Sequence, residues 1–263
     1  MKMSKCKKIM IASITSLLII TPILLIVFNI QTSNADDQEV KTHEVEEEKI
    51  TFDEMSSIGE QVEEVLKEEK EEIMFYHQEL SDELISTLES ISPINENVIT
   101  YPDLRHVIVS HYDFNGEVQR GELIVNNKVA DEIIEIFKEV FEVKYPIEKM
   151  VLVSEYNNDD DDLSMADNNT SAFNFRPITG GGGWSNHAYG LAIDINPKYN
   201  PYVSKNAVYP VNAVSYVNRD EDVEGMIKEG DALFNAFTSR GWTWGGDWNS
   251  LKDYQHFEKE YIN

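Results

Sequence analysis

Two stretches of this chain, Ser185-Asn186-His187-Ala188-Tyr189-Gly190-Leu191-Ala192-Ile193-Asp194 and Asp253-Tyr254-Gln255-His256-Phe257-Glu258, have residue types and a spacing that could do chemistry. They bring two imidazoles, a carboxylate seven positions after the first, and further carboxylates beside the second. An open catalytic zinc site takes three protein ligands from His and Asp/Glu and leaves the fourth tetrahedral position to a water of lowered pKa. The chemistry indicated is hydrolysis. The spacing of His187 and Asp194 does not put them on one helix face, so the chain is expected to turn at Gly190 and send Asp194 back along a strand. That pair alone does not specify a metal. His256 reads either as a third ligand or as a buried histidine bonded to a carboxylate among Trp242, Trp244, Trp248, Tyr254 and Phe257.

Taken together, Ser-x-His-x-x-x-Gly-x-Ala-x-Asp at 185–194 and Asp-x-x-His-Phe-Glu at 253–258 resemble the bacterial zinc peptidases that include D-alanyl-D-alanine carboxypeptidases and L-alanyl-D-glutamate endopeptidases of the cell wall. Val107 to Phe114, Gly121 to Asn126, Asn168 to Arg176 and Asp194 to Pro201 are similar to the same family's catalytic domain. The likeness spans about the last two-thirds of the chain, enough for one ordinary domain. The resemblance implies zinc held by His187, Asp194 and His256, with Asp253 moving the proton between water and leaving amine. Glu258 and, less directly, Asp247 are rivals to Asp253 by proximity; Glu258 could instead hydrogen-bond a ligand histidine. In a regular strand Asp253 and His256 would face opposite ways, so a turn or bulge is expected between them. The resemblance also assigns Arg176 to the developing oxyanion, against an ordinary surface salt bridge. Ser185 would donate a hydrogen bond to substrate or a ligand. The implied substrate is a peptidoglycan stem peptide. Cleavage after L-alanine and release of terminal D-alanine are not separated here. Lys198, Lys205 and Arg219 are candidate cations for a substrate carboxylate. A different class of function, a non-hydrolytic zinc-dependent wall-binding or sensory module, could use the same scaffold.

These residues need a scaffold. Leu104 to Tyr112 and Gly121 to Val125 read as strands joined through Asn115-Gly116, a strong hairpin signal. Asn126 or Asn127 could cap a helix from Val129 to about Val143 with an apolar stripe of Ile133, Ile134, Phe137, Val140 and Phe141. Lys149 to Tyr156 reads as a buried strand, and Asp222 to Arg240 as a second helix closed by Gly241. His106 and His111, five apart on one strand, are expected on opposite faces. The pattern predicts an α+β fold with a central antiparallel sheet and flanking helices. Gly180 to Gly183 lacks a phosphate-loop signature and suits a flap over the cleft; Asp159 to Asp162 lacks calcium-loop spacing and reads as a solvated turn, with Asp162 to Met165 near the substrate edge.

The 263-residue chain carries a net charge of −26, which excludes nucleic acid as a partner, since that binding rests on Lys and Arg neutralising phosphates. The charge is uneven. Residues 1–35 hold four Lys and no acid, and Ile9 to Ile30 is apolar and long enough to span a bilayer. The preceding lysines put the remainder outside the cytoplasm, whether the segment is a retained anchor or a signal cleaved near Ser33-Asn34-Ala35. Residues 36–96 are expected to be an acidic tether followed by one or two amphipathic helices from Phe52 to Ile91, a spacer that could alternatively pair with another copy of the chain. Residues 97–263 would form the catalytic domain. Cys6 is the single cysteine, so no intramolecular disulfide is possible.

Overall fold

The computed structural model describes residues 73–156, 160–178 and 181–260. The apolar run, the acidic tether and the start of the helical spacer lie outside the described residues. Among the described residues no helix is long and apolar enough to cross a membrane.

The fold is α+β. Strands β1 (Phe75–Gln78), β2 (Leu104–Tyr112) and β3 (Val118–Asn126) form an antiparallel sheet in that order, and β2 and β3 are joined by the turn at Asn115-Gly116. Gly116 has φ 76°, and the Asp113 carboxylate accepts the Asn115 and Glu117 amides across the turn. Helix α1 (Asp82–Ile91) precedes β2, and helix α2 (Ala130–Glu142) follows β3.

Period-two alternation divides this sheet between two apolar clusters. Val107, Val109, Leu123 and Val125 face the buried stripe Ile133, Ile134, Phe137 and Val140 of α2. Leu104 and Ile124 face the other way, against Leu88 of α1 and Phe173. His106 and His111 lie on opposite faces as their spacing predicts. His106 bonds Glu122 at 2.8 Å, while His111 is buried.

Among the described residues the antiparallel structure divides into three small sheets, each of three strands. The second, in order β4 (Ala192–Asp194), β9 (His256–Glu258), β7 (Thr243–Trp244), carries candidate ligands. The third is β6 (Val208–Tyr209), β5 (Tyr202–Val203), β8 (Lys252–Asp253). Helix α3 (Asp161–Ala166) lies between the first sheet and β4 in sequence, and helix α4 (Ala232–Thr238) precedes β7.

Four local expectations are corrected. Phe75–Gln78 is a strand rather than helix, because it completes the open edge of β2; helix begins only where Ser81 Oγ accepts the Leu84 amide. The cap of α2 is Val129, while the Asn126 carboxamide accepts the Lys128 amide and donates to the Tyr189 carbonyl. Lys149 to Tyr156 is not a strand. Asn169 substitutes for a neighbouring strand there: its Oδ1 accepts the Val151 amide at 2.8 Å and its Nδ2 donates to the Val151 carbonyl at 3.0 Å. Asp222 to Arg240 is helical only over α4, since Gly225 and Gly230 have φ 76° and 84° and Asp231 starts a new helix by accepting the Phe234 amide.

Candidate active site

The β4–β9 register assembles the centre. Asp194 pairs directly with His256, Ile193 with Phe257, and Ala192 with Glu258. Directly paired residues project to one face, so Ile193 and Phe257 enter the core while Asp194 and His256 meet on the other side. Phe257 is fully buried and stacks on Phe237 of α4 with ring centroids 4.4 Å apart, and Phe237 meets Phe137 of α2 edge-on. The main core thus holds the ligand strand from behind.

His187 arrives from a 3-10 helix, Asn186–Tyr189. Ser185 starts it by accepting the His187 amide, and Gly190 ends it with φ 65°. A side chain at Gly190 would also press within 2.6 Å of the Asn126 amide nitrogen, so the turn requires glycine on two counts. The chain then enters β4, as the spacing predicts. Between Asp253 and His256 the turn at Tyr254-Gln255 carries the chain from the third sheet to the second, which resolves the facing problem of those two residues.

His187, Asp194 and His256 are all buried, with ligand atoms within 4.8 Å of one another. His187 Nδ1 donates to the Ala172 carbonyl at 2.5 Å, leaving Nε2 bare. His256 Nε2 donates to Glu258 Oε2 at 3.1 Å, which turns Nδ1 towards Asp194 and His187. These two nitrogens face each other at 3.2 Å, with Asp194 oxygens 3.3 Å from His187 Nε2 and 2.9 Å from His256 Nδ1. A positive charge suits the space between these groups, as a proton on His256 Nδ1 or as a metal ion in its place. Ligands about 2.0–2.1 Å from a tetrahedral zinc stand about 3.3 Å apart, so this donor set fits such an ion.

The electrostatics agree with a site built for a cation. Burial opposes ionisation of Asp194, yet the His187 and His256 charges and hydrogen bonds hold its carboxyl well below the ordinary range. Burial also opposes charge on His256, but hydrogen bonds to Asp194 and Glu258 raise it to about 10. Glu258 is held below its usual value, first by its hydrogen bond to His256. Its Oε2 also accepts from Asn186 Nδ2 at 2.7 Å, so it joins the segments that carry the two histidines.

Asp253 is different. Its Oδ1 is buried without a hydrogen-bond partner, and burial, then the Asp194 charge, push its pKa up to about 7. Gly245 packs against it so closely that a Cβ there would sit 2.6 Å from the Asp253 carbonyl oxygen.

The other candidates fall around this centre. Arg176 pairs through Nη2 with Asp161 Oδ2 at 2.9 Å. Asp161 is therefore not part of a solvated turn: Asp160 caps α3, and Asp161 is half-buried, close enough to Asp194 and His187 to feel both charges. Nothing in the acidic run distinguishes it from Asp160 or Asp162. The Ala172 carbonyl had no sequence signal either, being backbone. Arg219 is not available to a substrate carboxylate, because its guanidinium is spent on the Tyr199, Tyr216 and Ile227 carbonyls and Asn200 Oδ1, over the Tyr254 ring.

No solved structure matches this chain. Residues 179–259, which carry Ser185, His187, Asp194, Asp253, His256 and Glu258, match the family model described as D-alanyl-D-alanine carboxypeptidase, and over that segment the resemblance to this peptidase family holds.

Proposed function

We propose that the chain is a zinc metallopeptidase that hydrolyses peptide bonds in the stem peptides of peptidoglycan, working outside the cytoplasmic membrane. The observation that carries this reading is the triangle of His187, Asp194 and His256 ligand atoms together with the Asp253 carboxyl, whose Oδ1 is buried without a hydrogen-bond partner. His187 Nε2, His256 Nδ1 and an Asp194 oxygen would hold the metal. Zinc, when bound, supplies Lewis acidity for a water nucleophile and for the scissile carbonyl.

The remaining work falls to this chain's own side chains. Asp253 accepts a proton from the attacking water and returns it to the leaving amine. A group with its pKa near about 7 can do both at neutral pH. Glu258 is committed to His256 Nε2 and Asn186 Nδ2, which leaves the proton shuttle to Asp253. Arg176 stabilises negative charge as it develops on the carbonyl oxygen, using donors beyond the one given to Asp161. The Ser185 hydroxyl accepts the His187 amide and keeps its own proton for a substrate acceptor.

The test is mass spectrometry of products from a stem pentapeptide ending in D-Ala-D-Ala, incubated with the purified full-length protein with and without a chelator. Chelator-sensitive loss of one alanine means a carboxypeptidase, and a cut between L-alanine and D-glutamate means an endopeptidase. No cleavage by protein holding one zinc would overturn the enzymatic reading in favour of a wall-binding module.

A further inference from the structure

The pairing of Arg176 with Asp161 has an asymmetry that ordinary surface ion pairs lack. Along 172–176 the chain alternates: Phe173 and Phe175 pack with the second apolar cluster, so Arg176, in step with Ala172 and Asn174, is turned the other way. It lies just before the matched segment, in a stretch with no regular secondary structure. Among the described residues the ion-pair partner of its guanidinium is Asp161.

Asp161, in contrast, is anchored without help from Arg176. Its helix, α3, starts at the Asp160 cap and is tied along its length. Asn169 Nδ2 donates to Ser164 Oγ at 2.9 Å, and Asn212 Nδ2 to the Ala166 carbonyl at 2.9 Å. Gln255 Nε2, in the turn between Asp253 and His256, reaches Met165 Sδ at 3.5 Å. The carboxylate is the fixed member of the pair and the guanidinium the held one.

Stability alone does not account for this placement. Burial raises the Asp161 pKa, and the like charge of Asp194 raises it further while Arg176 opposes both. The pair is partly exposed and sits near another carboxylate, so its net contribution to stability is small. One ion pair also uses one of the five guanidinium donors and leaves the others for a second acceptor.

We infer that Asp161 is a positioning residue: it holds the Arg176 guanidinium at the edge of the metal centre through Nη2, so that the remaining N–H groups meet the substrate's carbonyl oxygen. This rests on the role given to Arg176 under the proposed function.

The experiment is a double-mutant cycle in the full-length, zinc-loaded protein, comparing wild type, Asp161→Asn, Arg176→Met and the double variant. Its readouts are kcat and KM on the same pentapeptide, zinc content and thermal unfolding. Asp161→Asn is expected to lower kcat about tenfold with KM nearly unchanged and zinc content unaltered. In the Arg176→Met background it should cost less than about twofold more, because residues acting as a unit are not additive. An independent, fully additive loss in the double variant, or no loss in Asp161→Asn while Arg176→Met is impaired, overturns the inference and leaves the proposed function standing. Wild-type activity in Arg176→Met would remove the role of Arg176 and this inference with it, while cleavage itself still supports the peptidase reading.

Discussion

The two sides of the candidate site are built by different means. On the ligand side, Asp194 and His256 are cross-strand partners, each backed by the main core, and every ring nitrogen not facing the centre has its own acceptor. On the opposite side, Arg176 and Asp161 come from an irregular stretch and a six-residue helix joined by one ion pair. The ligand side takes its geometry from hydrogen-bond register, which a single substitution rarely shifts. The arginine side depends on a few side chains, so it is the part of the site that relatives could change without rebuilding the fold.

That contrast is open to measurement, and the largest effect belongs to Asp194. Asp194→Ala removes a proposed ligand and the charge that both imidazoles face; zinc and all activity should be lost, as read by metal analysis and product mass spectrometry. Retention of stoichiometric zinc would break the assignment of the ligand side.

Next in size is Asp253→Asn, expected to lower kcat roughly 100- to 10,000-fold with zinc content unchanged. The pH profile follows from the same group. Asp253 must be ionised to accept a proton, its pKa in the protein is raised to about 7, and a bound cation can only lower it. The rate should therefore fall on the acid side with a midpoint at or below about pH 7, and a midpoint well above that would rule Asp253 out as the group responsible.

Glu258→Gln sharpens the picture of the ligand side as doubly supported. It keeps a hydrogen-bond acceptor for His256 but loses the charge, and zinc affinity should fall roughly 10- to 100-fold in competition with a chelator. The smallest change lies away from both sides. Asp231→Ala removes the cap of α4 and should cost about 1 kcal/mol in denaturant unfolding, with zinc affinity and kcat as in wild type.

What could be read from sequence follows the same division. The β2–β3 hairpin, α2 and the turn at Gly190 were legible because local chemistry and pattern agree there: a glycine turn, a 3.6-residue stripe, a left-handed φ. The three candidate ligands came from two separate motifs taken with the family resemblance, since His187 and Asp194 alone specify no metal and His256 is 62 residues beyond Asp194. Lys149 to Tyr156 misled because its β-forming composition says nothing of whether a neighbouring strand exists, and the partner there is a carboxamide. Phe75–Gln78 misled because four residues are too few to fix a period, and the open edge of β2 decided the outcome. Asp161 was hidden because which carboxylate of an acidic run meets Arg176 is a tertiary property. Glu258 was readable either as a rival to Asp253 or as a hydrogen-bond partner of a ligand histidine, and its bonds to His256 and Asn186 decide for the second.

The carboxamide of Asn169 has a consequence for how the protein meets copies of itself. A stretch such as Met150-Val151-Leu152, apolar and β-prone, is the kind that recruits a strand from another chain when its backbone is left open. Here the Val151 amide and carbonyl are both occupied by one side chain, and the neighbouring Met150 carbonyl accepts the Glu122 amide. The segment offers no free edge at Val151, so its tendency towards intermolecular sheet is blocked at its centre by a single asparagine.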